Sequence, residues 1–460
     1  MNCTEATTTE VMSPTELVDE SNTRFYERFP FPWRPAKFDF LADPYFQTAM
    51  FNQNLGDWHG HSLPEKPAIW VAGCGTNQAL ITALTFPKAT VLGSDLSSES
   101  LKLCGSTAKE LGVKNLELRR ESINGVSYSE QFDYVICDGV IHCNADPGAT
   151  LNKLVAALKR NGVMELMVYN VYERLQTTAF QRAIKIFSTN DSALDLNRDI
   201  WRAKNIVADL MLTNFPLLRR DTVDEYPECV LADTLIQPNE ITYTLESFEE
   251  LVNASGLEVL HPATDLFDQL SIDTPWNLSF STPALQHDYY ELPDLQRWHV
   301  TNHLLLDRSP QLWFYFQRKD SGRPRRSERA ICADFLNQKF VRTGTLQRSY
   351  VRSHDGSYKL SPKHLAYPLS SPRGNALALY QAVDGQKSMQ EIFTRLEQPT
   401  TFEHVNEMRL QLTTTAHPHL RAVNDRNGRQ NSPGDVLKRP LEELNLKKLR
   451  NIRPKPVTTF

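Results

Sequence analysis

A chain of 460 residues is longer than one ordinary domain, and its apolar fraction of 40% is enough to fill real cores, so two or three globular units are expected. With 50 basic side chains against 55 acidic ones the formal charge is −5, which argues against a surface built as a whole to hold nucleic acid or anionic lipid. The seven cysteines are scattered without any C-x-x-C pair, so they read as reduced thiols of a cytoplasmic protein, with no metal expected.

The N-terminal stretch MNCTEATTTEVMSPTELVDE is acidic and threonine-rich with no apolar core of a leader, and nowhere do ~18 apolar residues run together, so no membrane partner is expected. In FYERFPFPWRP, residues 25–35, aromatic side chains are broken by prolines too irregularly for a helix face; residues 1–65 read as an arm and lid. From 66 to 320 short β-branched runs alternate with helical stretches: AIWVAGC, a helix near 77–85, ATVLGSD, a helix over about 98–111, LELRRES, FDYVICDGV, a helix over about 148–159, then GVMELMVYN. That alternation predicts an α/β, Rossmann-like sheet, mostly parallel and covered on both faces. Residues 172–240 are helical and polar, an insertion before a last helix and two last strands, of which QLWFYFQR (311–318) is the antiparallel one. A Pro/Gly/Arg connector (321–340) leads to a small C-terminal domain (341–460) with a helix-turn-helix-like stretch at 375–396, winged-helix-like in pattern, and a basic tail.

The chemistry gathers at the strand ends. Gly73-Cys74-Gly75-Thr76-Asn77-Gln78 joins the first strand to the first helix, where backbone amides approach a ligand at the helix N-terminus. Gln78 stands where a dinucleotide fingerprint needs its third glycine, so a smaller ligand without phosphates is favoured. Asp95, followed by Leu96, ends the second strand 22 positions after Gly73, at the offset where a carboxylate accepts from both ribose hydroxyls. Ser122 and Ile123 fall where they would border an adenine, and Asp138, Gly139 and His142 close the fourth strand on the same crevice.

These residues resemble the class I S-adenosylmethionine-dependent methyltransferases. VAGCGTNQA is similar to their first glycine motif, GSDLS to their ribose-binding acidic motif, and FDYVICDGVIHCNADP to the G-V-[IL]-H-H motif after the fourth strand. FYERFPFPWRP resembles the Y-E-x-x-P-Y-P-R-W segment of a bacterial subgroup, and so does DTLIQPNEITYTLESFEELVNASGL at 233–257. The likeness covers roughly residues 20–318, with two departures: Asn77 replaces a common glycine and Cys143 replaces the second histidine of the H-H pair.

The resemblance implies S-adenosylmethionine as cofactor, held by Gly73, Cys74, Gly75, Thr76, Asp95, Leu96, Ser122, Ile123, Asp138 and Gly139. It implies transfer of a methyl group by in-line displacement to a small-molecule or peptide/protein acceptor, with Tyr26, Tyr169, Tyr243 and His142 as the side chains for substrate contact. His142 reads as a structural histidine rather than a general base, since no acidic orienter is visible beside it. The aromatic arm suits a lid, whose ring faces favour a sulfonium. The alternative is a non-catalytic S-adenosylmethionine-binding adaptor whose C-terminal unit binds a peptide or protein.

Overall fold

Ser13 accepts from the Glu16 amide while Glu16 reaches back to the amide of Ser13, a reciprocal cap that starts helix α1 (Pro14–Arg28). The computed structural model describes residues 12–189, 195–212, 226–263, 276–309, 311–415 and 418–423. The aromatic segment is therefore helical as far as Phe25 and Tyr26 and irregular only beyond Arg28. It leads into β1 (Lys37–Leu41) and α2 (Phe46–Asn54).

The alternating pattern becomes β2 (Ala68–Ala72), α3 (Gln78–Thr85), β3 (Thr90–Asp95), α4 (Ser98–Leu111), β4 (Leu116–Arg120), β5 (Phe132–Asp138), α5 (Pro147–Ala157) and β6 (Leu158–Val168). The insertion supplies α6 (Val171–Phe187), α7 (Leu196–Asp209) and α8 (Glu228–Leu235). Then come α9 (Leu245–Ala254), β7 (Leu257–Pro262), α10 (Pro283–Glu291), α11 (Asp294–Leu305) and β8 (Leu312–Arg318). The helices α10 and α11 stand between the last two strands, β7 and β8.

Seven strands form one sheet in the order β4-β3-β2-β5-β6-β8-β7, parallel except for β8, which runs antiparallel to both β6 and β7. This is the expected Rossmann-like sheet, mostly parallel with one antiparallel strand. Apolar side chains on both faces make it a buried layer: Trp70, Val135, Leu166 and Phe314 on one side, Ile69, Val71, Ile136 and Val163 on the other. The chain reverses order between β2 and β5, and the ends of these strands open the crevice in which such sheets bind ligands.

The remaining elements are α12 (Glu328–Asn337), β9 (Phe340–Arg342), β10 (Thr345–Arg352), β11 (Tyr358–Leu360), β12 (Leu365–Tyr367), α13 (Gly374–Ala382), α14 (Met389–Arg395), α15 (Phe402–Thr413) and β13 (Leu420–Ala422). Part of the stretch expected as a linker is thus the helix α12, whose Ile331 and Phe335 are fully buried with Trp58 of the N-terminal region. Strand β1 pairs antiparallel with β10, Lys37 opposite Val351 through Leu41 opposite Gln347, so arm and C-terminal region share a four-stranded sheet. Glu328 of α12 is buried between Arg297 of α11 and Arg409 of α15. In the stretch expected as winged-helix-like, α13, α14 and α15 pack over α12, and β9 pairs with β13. The basic tail lies outside the described residues. Among the described residues no helix is long and apolar enough to cross a membrane.

Candidate active site

Strand β2 ends buried at Ala72, and the backbone then turns through Gly73 at φ 72° and Gly75 at φ 54°, the left-handed region that favours glycine. A Cβ at Gly73 would lie under 3.0 Å from Val140, and one at Gly75 equally close to the carbonyl oxygen of Phe31. The turn is fixed from the neighbouring strand: Gly73 and Cys74 both donate to the Ser94 carbonyl, and the Gly75 amide donates to Asp95 Oδ2 at 2.8 Å. The Ser97 amide donates to the other Asp95 oxygen at 2.8 Å. Burial raises the Asp95 carboxyl above its ordinary range, against the amides of Ser97 and Gly75, which pull it down.

The arm lies on this turn. The Thr76 amide donates to the Phe31 carbonyl at 3.0 Å, the Thr76 hydroxyl to the Pro32 carbonyl, and Asn77 Nδ2 to the Trp33 carbonyl at 3.2 Å. The asparagine that departs from the usual glycine therefore holds the arm. Further along, Ser97 Oγ donates to the Tyr26 carbonyl, Ser122 Oγ donates to Asp19 of α1 at 2.5 Å, and Ile123 is buried beside it.

Asp138, at the tip of β5, accepts from Gln78 Nε2 at 2.8 Å through one oxygen, while its other oxygen is buried without a partner. Burial and, next, the neighbouring Glu165 push its carboxyl well up. Glu165 lies on β6, accepts from the Tyr134 hydroxyl and from Trp313 Nε1 (2.7 Å), and is pushed by burial to about 7. Both carboxyls face a cavity of about 510 Å³ that runs under the arm.

On its insertion side the cavity is walled by a second carboxylate system. Tyr26 donates to Asp233 Oδ1 at 3.0 Å and Tyr169 to Oδ2 at 3.4 Å. Burial raises the Asp233 carboxyl to about 6. Arg174 lies 3.9 Å from the centre of the Tyr169 ring, and its guanidinium is taken up by Glu240, with Nε to Oε1 at 2.9 Å and Nη2 to Oε2 at 2.5 Å.

Of the residues expected from sequence, Gly73, Cys74, Gly75, Asp95, Leu96, Ser122, Ile123, Asp138 and Gly139 reach the cavity wall, as do Tyr26 and Tyr169. Thr76 faces the arm instead. His142 sits behind Tyr169, ring centres 4.3 Å apart, with neither nitrogen hydrogen-bonded and its basicity lowered by burial to about 4. Tyr243 is in the core against Phe248, and its backbone amide bonds the Tyr169 carbonyl. Among the wall residues that went unrecognised in the sequence are the carboxylates Glu165 and Asp233. A charged residue inside the apolar run GVMELMVYN was a readable signal for the first, and Asp233 opens a stretch already noted for its likeness to a subgroup.

A family profile described as a methyltransferase domain matches residues 72–233. An uncharacterized Synechococcus protein is 26% identical over 295 residues, 62% of this chain and 68% of its own length. An uncharacterized Rickettsia prowazekii protein is 31% identical over 128 residues, which span 27% of this chain and about half (48%) of that relative. Among solved structures, PKMT2 from Rickettsia typhi in complex with AdoHcy superposes with a TM-score of 0.52 at 15% identity, covering 86% of this chain and 78% of that one, a likeness of fold. Domain profile, sheet order and strand-end motifs together identify a methyltransferase domain of the class I, Rossmann-like fold within the chain, its profile match spanning residues 72–233.

Proposed function

We propose that the chain methylates an amine-bearing acceptor, a small molecule or a side chain of a peptide or protein, between Tyr26 and Tyr169. Two observations test the fit of the cofactor: Gly73 and Gly75 turn through positive φ on the cavity wall and present bare backbone there, and Asp138 keeps a buried oxygen without a partner. On this reading Asp138 and the glycine turn take the charged methionine end, Asp95 the ribose, and Ser122 with Ile123 the adenine edge and face. When bound, the cofactor supplies a methyl group on a sulfonium, open to in-line displacement by a nucleophile.

The observation that carries the acceptor class is the sign of the wall. Asp138, Glu165 and Asp233 all face one cavity, while Arg174, the guanidinium on that wall, is neutralised by Glu240. A wall of buried carboxyls favours a cationic guest over an anionic one, because a positive charge beside them stabilises their ionised forms while an anion has no such partner. An ammonium must shed a proton before its lone pair can attack, and Asp233, raised toward neutral range and aligned by two tyrosine hydroxyls, is placed to accept it. The aromatic arm closes over the crevice and excludes water, and strand β10 of the C-terminal region braces it by pairing with β1.

The test is transfer of a labelled methyl group to a panel of primary amines, lysine-containing peptides, phenols and carboxylates. Labelling of amines and amine-bearing peptides above the other classes is expected; labelling confined to phenols or carboxylates overturns the acceptor assignment while leaving the cofactor assignment intact.

A further inference from the structure

Away from the cavity, α9 and α11 bring together a set of side chains that methyl transfer does not use. His299 and His303, four residues apart, share one face of α11, and Glu246 and Glu249, three apart, share one face of α9. His299 Nδ1 lies 2.9 Å from Glu246 Oε1, and His303 Nε2 is bonded to the same oxygen. One ligand atom each from Glu246, His299 and His303 falls within 4.8 Å of the others.

We infer that Glu246, His299 and His303 form a site for a divalent transition cation of the zinc type. Two imidazole nitrogens and one carboxylate oxygen are the donor set such ions prefer, with bonds of ~2.0–2.2 Å, and separations of this size close onto a shared ion by small side-chain rotations. The second nitrogen of each ring is already committed. His299 Nε2 lies 2.9 Å from Glu249 Oε2, and His303 Nδ1 lies 3.0 Å from the Tyr172 hydroxyl. A carboxylate or hydroxyl behind each ring fixes its orientation and tautomer, the arrangement metal-binding histidines need. The two glutamates balance the charge of a divalent ion. His303 is 48% exposed, which leaves the fourth position to water.

The site would join three elements. Tyr172 is in the first turn of α6, two residues before Arg174 on the cavity wall, while α9 and α11 precede the last two strands. A bound ion would therefore clamp the start of the insertion to the end of the sheet.

The test uses the full chain without an affinity tag, stripped with chelator and desalted. Calorimetric titration with Zn2+ is expected to give one equivalent of binding, and Co2+ should give the strong visible absorption of a four-coordinate site. His299→Ala/His303→Ala should remove both signals. Tyr172→Phe, which leaves every ligand in place, should weaken binding ~10- to 100-fold. Glu246→Gln guards against misfolding, since it is nearly isosteric, and S-adenosylmethionine titration of each variant reports that the sheet is intact. Equal binding by wild type and the double variant, or no binding by a wild type that still takes up S-adenosylmethionine, overturns the site and leaves the cluster a set of hydrogen bonds.

Discussion

The amide of Thr76 donates to the carbonyl of Phe31 at 3.0 Å, which docks the N-terminal arm directly on the glycine turn. Glycine turn and arm are one hydrogen-bonded unit, so a change in the turn acts on both. A Cβ at position 75 would lie under 3.0 Å from the Phe31 carbonyl and would be forced into a left-handed backbone that costs ~1–2 kcal/mol. Gly75→Ala is expected to fold, to lose at least about tenfold in affinity for S-adenosylmethionine, and to expose the arm to limited proteolysis. Wild-type affinity by calorimetry would show that the arm does not brace the turn.

Asp95 offers one oxygen to Gly75 and one to Ser97 while facing the cavity, so its removal takes away a charged acceptor and loosens the turn. Hydrogen bonds to a charged group contribute ~1.5–3 kcal/mol each, and losing two ribose contacts should raise the Kd at least about tenfold. Titration of Asp95→Ala with S-adenosylmethionine and with S-adenosylhomocysteine measures it, and equal affinities would remove Asp95 from the ribose site.

Asp233 and His142 separate two accounts of proton transfer. A positioned base contributes ~10² to 10⁴ in rate, so Asp233→Asn should lose that much in kcat with little change in cofactor affinity. Activity works through the ionised carboxylate, so the wild-type rate should rise with pH through about 6, and that limb should vanish in Asp233→Asn. His142, behind Tyr169 with both nitrogens unpartnered, is expected to behave as packing. His142→Ala should keep cofactor affinity and most of its rate. A loss of ~10² or more there, with Asp233→Asn near wild type, would reverse the assignment.

Glu165 has a stability signature of its own. Burial raises its carboxyl from an ordinary 4.5 to about 7 in the folded chain. A raised folded value means that the folded state holds the proton more tightly, so the stabilisation is complete below about 4.5 and is lost as pH rises through about 7. The Tm of the cofactor-free chain should fall between these limits. Glu165→Gln, whose single amide oxygen still accepts from Trp313 while its NH2 can donate to the Tyr134 hydroxyl, should flatten that fall and stand above wild type at pH 8. A parallel pH dependence in the two proteins would place the titrating group elsewhere.

The sheet was legible in sequence because its signal is local. Each parallel strand is a short apolar run and each helix has its own period, so α4 occupies the expected 98–111 and α3 starts within one residue of expectation. Asp95 was legible through a fixed offset from the glycine turn. Asp233 was not, because its meaning depends on Tyr26, 207 residues earlier, and Tyr169, 64 residues earlier. His142 and Tyr243 carried side chains suited to catalysis, and only packing reveals that they stand one layer behind the wall. The pairing of β1 with β10 joins residues about three hundred positions apart, Ser349 Oγ bonding Asp39 across 310, and no periodicity within either strand names its partner.

That pairing determines what truncation does. A chain ending near residue 330 would retain all seven strands of the main sheet and every cofactor residue expected from sequence, so composition alone predicts an intact binding domain. The structure gives β1 its ladder from β10 and covers Trp58 with α12 and β9, and both contributions lie beyond or across the cut. Phe38 and Trp58, 3% and 2% exposed in the full chain, would be bared, at ~1.5–3 kcal/mol for each large apolar side chain. Because Phe31 to Trp33 hold the glycine turn, an arm released at β1 should loosen the cofactor site as well. The truncated protein is expected to show a lowered Tm and markedly weaker binding of S-adenosylmethionine, with arm cleavage by protease at rates the full chain does not show. A truncation that matches the full chain in Tm and cofactor affinity would establish that the arm docks on the turn without support from the C-terminal region.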